Sequence, residues 1–175
     1  MSTSIRLGFS TSPTWNPISA GIRSFTGGQT THAYVVYQDV FRSCEIVMEA
    51  SWYGFRDIPY ESWKADNKVV AEFAFDDQLI PGVQWATKQL GTPYDYPGLL
   101  GMIPVSIGGW LHHKWNNPFQ SAKASFCSEI SCRMLQASSI PFAMQLEPTT
   151  LSPAKLMQAC LDAKVPAYYP ILQVA

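Results

Sequence analysis

"HAYVVYQDVFRSCEIVMEASW", residues 32–52, holds two runs rich in β-branched and aromatic residues, "HAYVVY" (32–37) and "CEIVMEASW" (44–52), on either side of a polar "QDVFRS". That pattern predicts a β-hairpin. With the turn centred between Val40 and Phe41, antiparallel pairing sets His32 directly across from Glu49, with both side chains on one face of the sheet. A slip of one residue would instead turn Glu49 to the other face, as a plain solvent-facing glutamate. Working outward, "NKVVAEFAF" (67–75) reads as a third strand. "IPGVQWATKQLG" (80–91) reads as a short amphipathic helix, with Pro81 near its start, Ile80, Val83, Ala86 and Leu90 on its apolar side, and Gly91 as its stop. A last helix is expected from Ser152 as cap and Pro153 as first residue, burying Leu156, Cys160 and Ala163 before a strand-like "AYYPILQV". Residues 1–30, rich in Ser, Thr, Gly and Pro, read as loop with a helical turn at "PISAGIRSF". Strands grouped apart from helices predict the α+β class.

The chain has 175 residues, 47% hydrophobic and 14% charged, which fits one domain over 1–175 with a single substantial core. Twelve basic residues balance thirteen acidic ones without a run of either sign, so neither a nucleic-acid surface nor a polybasic membrane anchor is indicated. The first residues show no signal-peptide pattern, and no apolar run reaches the roughly 20 residues of a spanning helix. A product made in the cytosol, without a transmembrane segment, is the expectation. Cys44, Cys127, Cys132 and Cys160 include no CxxC pair, which argues against structural zinc and redox sites and for free thiols. No metal or cofactor is expected.

One of those thiols has a special address. In "ASFCSEISCRMLQASS" (124–139) the apolar helical pattern of Ile130, Met134 and Ala137 starts just after Cys127. A thiol at a helix N-terminus is favoured as thiolate, and its own backbone N–H can face a developing oxyanion. Cys127 is therefore either a nucleophile or, as free cysteines commonly are, a small buried hydrophobe. Of the three histidines, His112 and His113 are neighbours that point in different directions, whereas His32 opens the first hairpin strand directly after a Gly-rich turn. A carboxylate beside that imidazole would fix its tautomer and stabilise its imidazolium, so His32 and Glu49 are candidate base and orienter for Cys127.

"TTHAYVVY", "IVMEASWYGFRDIPYESW", "LGTPYDYPGLLG", "SFCSEISCRML" and "TTLSPAKLMQA", in this order, resemble the circularly permuted papain-like enzymes. These are relatives of the NlpC-type cell-wall peptidases and of the lecithin:retinol acyltransferase-like proteins, and the likeness is to the YiiX-like bacterial and phage branch. The resemblance covers about residues 20–160. It implies a central antiparallel sheet with the nucleophile-bearing helix packed against it. Cys127 would be nucleophile, His32 general base and Glu49 orienter. Tyr94 and Asp95 match the family's "YD" motif, which would brace the cleft and bring a hydroxyl to the oxyanion. Ser128 and Glu129 complete the Cys-Ser-Glu helix start, where Glu129 complements the macrodipole.

The implied activity is hydrolysis of amide bonds, in peptidoglycan stem peptides, through a thioester. The implied partners are a peptide or peptidoglycan substrate and other proteins of a phage particle. Two further readings stay open. "PGLLGMIPVSIGGWL" (97–111) is either the apolar flap of a lipid-directed thioesterase or acyltransferase, or a core loop; and a virion or scaffold component could keep the fold without turnover. The departures from the family pattern are the long apolar segment between Tyr94 and Cys127 and the tryptophans at 52, 63, 110 and 115.

Overall fold

Six strands pair into one antiparallel sheet in a computed structural model that describes residues 4–11, 30–51, 53–93 and 127–169. They are β1 (Ile5–Thr11), β2 (His32–Asp39), β3 (Cys44–Ser51), β4 (Gly54–Pro59), β5 (Lys68–Ala74) and β6 (Ala167–Tyr169), in the order β4-β3-β2-β1-β5-β6. β1 to β4 form a meander, and the chain then returns to pair β5 with the free side of β1. That return carries α1 (Tyr60–Lys64). Among the described residues the other α-helices are α2 (Ile80–Thr87), α3 (Cys127–Ala137) and α4 (Pro153–Asp162). The class is α+β, as expected.

Alternation along the strands builds a core on each face. Leu7, Phe9, Val35, Met48 and Phe73 pack with Ile130, Met134 and Leu135 of α3 and Leu156 and Cys160 of α4. Tyr34, Val36 and Val47 point the other way, against Tyr60 and Trp63 of α1. Helices α2 and α3 approach closely at Gly82, where a Cβ would run into the Met134 carbonyl, and the Gly82 N–H donates to Ser138 Oγ at 2.8 Å. Ser152 caps α4, accepting from the Lys155 N–H at 3.3 Å.

Four expectations need correction. Residues 5–11 are a strand between β2 and β5, not loop; "IRLGFST" alternates Ile5, Leu7 and Phe9 with Arg6, Gly8 and Ser10, but all seven residues are buried, so the polar half did not read as strand. The hairpin register is offset by two residues. His32 facing Glu49 would have put Val35 opposite Ile46, whereas Val35 pairs with Met48 and Tyr37 with Ile46. The turn sits later because the Asp39 carboxylate accepts the N–H groups of Phe41 and Arg42, and Ser43 takes a left-handed φ of 51°. Gly54–Pro59 is a strand that sequence reading left unassigned. Finally, Leu90 is 40% exposed, and Ala137 and Ala163 also face outward. Among the described residues no helix is long and apolar enough to cross a membrane.

Candidate active site

The pairing of β2 with β3 begins at Val35 and Met48, so the first three residues of β2 have no β3 partner. The start of α3 fills that opening. The N–H of Ala33, a residue paired to β1 but not to β3, and the Ser128 N–H of the first helical turn both donate to the Cys127 sulfur. The Cys127 thiol is also hydrogen-bonded to the His32 ring. His32 Nε2 lies 2.8 Å from Glu49 Oε2, which leaves Nδ1 as the nitrogen for the thiol. Thus the two-residue offset does not part His32 from Glu49. An even shift keeps both side chains on one face, and the carboxylate reaches its partner diagonally.

Glu49 is saturated with donors. Oε2 accepts from His32 Nε2 and, at 2.7 Å, from Trp63 Nε1 of α1; Oε1 accepts from Arg56 Nε at 3.0 Å and Nη2 at 2.7 Å. Arg56 and Glu49 stand directly opposite each other across β3 and β4. Sequence reading missed both Arg56 and Trp63. The hairpin logic that linked His32 to Glu49 could have found Arg56, since "SWYG" ends in Gly54, whose φ of 92° makes the turn that sets Arg56 across from Glu49.

These contacts bias the charge states. Burial disfavours the charged imidazole, but the hydrogen bonds and charges of Cys127 and Glu49 outweigh it and lift His32 to about 10. Burial would likewise raise Cys127, yet imidazolium and the Ala33 and Ser128 N–H groups bring the thiol below its ordinary value. Glu49 feels burial upward and His32, Arg56 and Trp63 downward, and settles near 2. The His32 and Cys127 shifts both favour the thiolate–imidazolium form of the pair, with the Glu49 carboxylate behind it. Cys132 and Cys160, by contrast, are pushed up to about 12 by burial, so they are inert packing groups.

The other candidates divide. The Ser128 side chain is fully buried and donates to the Leu151 carbonyl, so it ties the helix start to the 148–151 turn and only its N–H serves the sulfur. Glu129 Oε1 accepts from Arg133 Nε and Nη2 at 3.0 and 2.8 Å, one turn further along α3. Tyr94, Asp95, His112, His113, the 97–111 segment and the tryptophans at 52, 110 and 115 lie outside the described residues. No group of three or more His, Cys, Asp or Glu side chains among the described residues is placed to hold a metal ion.

The Cys127 thiol, the His32 imidazole and the anchored Glu49 carboxylate thus stand together where the start of α3 meets the start of β2. No protein-family model matches the chain, and no curated protein is significantly similar to it in sequence.

Proposed function

We propose that the protein is a cysteine hydrolase that cleaves amide bonds through a thioester, with a permuted papain-like fold and with peptidoglycan stem peptides as substrate. One observation supports this reading: His32 stands between Cys127 and Glu49, hydrogen-bonded to both, in surroundings that lower the thiol below its ordinary value. The Cys127 thiolate attacks the carbonyl carbon, forming a C–S bond while the carbonyl oxygen takes the negative charge. His32 then gives its proton to the leaving amine as the C–N bond breaks. Water attacks the thioester, His32 takes its proton, and the acid departs as the thiolate is restored. The helix-start N–H of Cys127 would serve as a donor for the oxyanion. The choice of cell-wall peptides, and of a phage particle as carrier, rests on the sequence resemblance, in which the histidine strand precedes the cysteine helix.

The test has two arms. Purified protein incubated with peptidoglycan fragments should release new amine and carboxyl termini, and Cys127→Ala or His32→Ala should abolish that release while folding persists. At pH about 6, where an ordinary thiol is mostly protonated, iodoacetamide should modify Cys127 well before Cys132 or Cys160. Labelling of Cys127 no faster than the other two would end the nucleophile reading. Rapid labelling without release of termini would end only the cell-wall assignment.

A further inference from the structure

Glu49 is held on both oxygens, and the two sides make different demands. On Oε2 the donors are His32 Nε2 and Trp63 Nε1; on Oε1 they are Arg56 Nε and Nη2. Four donors converge on a carboxylate 4% exposed, so no water can stand in for a lost acceptor. A carboxylate offers acceptors on both sides, but an amide offers an acceptor on one side and a donor on the other. We propose that Arg56 is a positioning residue of this site: its fork fixes which oxygen of Glu49 meets the imidazole and makes a carboxylate, not an amide, obligatory at position 49. This rests on the reading of Cys127 and His32 given above.

The physical argument turns on which donor captures a lone acceptor. In Glu49→Gln the single carbonyl oxygen must face either Arg56 or the His32 and Trp63 pair. Arg56 offers two bonds from a permanent cation, and charge-assisted forks are the stronger hydrogen bonds. The oxygen therefore turns to Arg56 and the NH2 group to His32. Donor then meets donor, and the imidazolium loses its support. Among the described residues the groups facing Glu49 are His32 from β2, Arg56 from β4 and Trp63 from α1. Those facing His32 are Glu49 from β3, Cys127 from α3 and the rings of Tyr34 and Trp63. None of them supplies another anion on the Glu49 side.

It follows that Arg56→Met should harm the parent yet help Glu49→Gln, because without the fork the amide oxygen is free to turn back to His32. The experiment measures two properties in the parent, Glu49→Gln, Arg56→Met and the double variant: the rate of Cys127 alkylation at pH 6, and the titration of His32 followed by imidazole NMR. Glu49→Gln should lower the alkylation rate by about tenfold or more, the equivalent of one unit in the titration of the pair. The double variant should recover at least about threefold of that loss, and its His32 should titrate higher than in Glu49→Gln. Arg56→Lys, which keeps charge but not the fork, should recover less in the Gln background than Arg56→Met. A double variant no better than Glu49→Gln by either readout, with both folded, would overturn the proposal, as would a Glu49→Gln protein with parental behaviour. The NMR titration reads the Glu49–His32 link whether or not Cys127 proves to be a nucleophile, so failure of the functional reading shows up separately, as slow alkylation in the parent.

Discussion

Cys127 and His32 shift each other's titration in opposite directions, and that sets how the site responds to pH. In the unfolded chain the imidazole titrates near 6.5 and the thiol near 9. Folding raises His32, so its contribution to stability is complete below 6.5 and is lost as pH rises through about 10. Folding lowers Cys127, so its contribution is complete above 9 and is lost as pH falls through the depressed value. Between 6.5 and 9 the two slopes oppose each other, and they cancel wherever the folded pair, like the unfolded one, carries a single proton. The pair should therefore give a plateau of stability across that window and a decline on either side. Urea unfolding of the parent and of Cys127→Ala, compared from pH 5 to 8, is the measurement. The parent's advantage over the variant should shrink as pH falls below about 6.5; an advantage constant over that range would rule out the ion pair. The members of this pair were legible in sequence for a local reason, since a helix start and a strand start can each be read from a few neighbours. Glu49 was legible by parity alone: the register was wrong by two residues, and only an odd error would have hidden it. Arg56 and Trp63 were missed because each reaches Glu49 from an element, β4 or α1, that had not been recognised, although the Gly54 turn carried a signal for Arg56 and none pointed to Trp63.

At the scale of elements, the reactive cysteine depends on where α3 lies, and α3 is set partly by its contact with α2. Gly82 makes that contact possible, since an added methyl would meet the Met134 carbonyl, and a backbone atom cannot swing aside like a side chain. Gly82→Ala should cost about 1–3 kcal/mol through overpacking. Met134 is seven residues along the helix from Cys127, about 10 Å at 1.5 Å per residue. A rigid helix pushed there moves at its other end. Thermal unfolding should show the loss, and Cys127 alkylation at pH 6 should slow in the variant while still folded; an unchanged melting temperature would mean that the helices separate without strain. The elements that sequence reading found share a simple signature. β2 and β3 have dense β-branched runs, and α4 has a Ser-Pro start. β1 lacked such a signature because its polar half is buried in partners far along the chain. β4 lacked it because "GFRDIP" is six residues long with two charges and a closing proline.

Across the whole molecule, the sheet buries charge on the face that α1 covers, and the two carboxylates there are handled alike. Glu49 is tied to Arg56 beside the candidate site. Further along the same face Glu72, fully buried, accepts from Tyr34 and Tyr60 hydroxyls at 2.8 and 2.6 Å on Oε1. Arg6 Nε lies 3.0 Å from its Oε2, an ion-pair contact without hydrogen-bond alignment, and Arg6 Nη1 donates to Glu45 at 2.6 Å. Tyr34 and Trp63, with ring centroids 4.2 Å apart, join the two clusters into one wall. Arg6 is 1% exposed, so its removal cannot be made good by water. Glu45 is partly exposed and can be solvated alone, but Glu72 cannot. Arg6→Met should therefore leave an uncompensated buried carboxylate and cost about 3–5 kcal/mol, a large share of the roughly 5–15 kcal/mol that holds a domain together. Arg6→Met with Glu72→Gln removes both charges, keeps an acceptor for the two tyrosines, and should recover most of the loss. Equilibrium urea unfolding of the parent and the two variants measures it, and a cost below about 1 kcal/mol for Arg6→Met would mean that Glu72 is stabilised without its arginine. Cys127 alkylation in the native fraction should stay at the parental rate throughout, because Arg6 reaches the thiol only through the aromatic wall and makes no contact with Glu49.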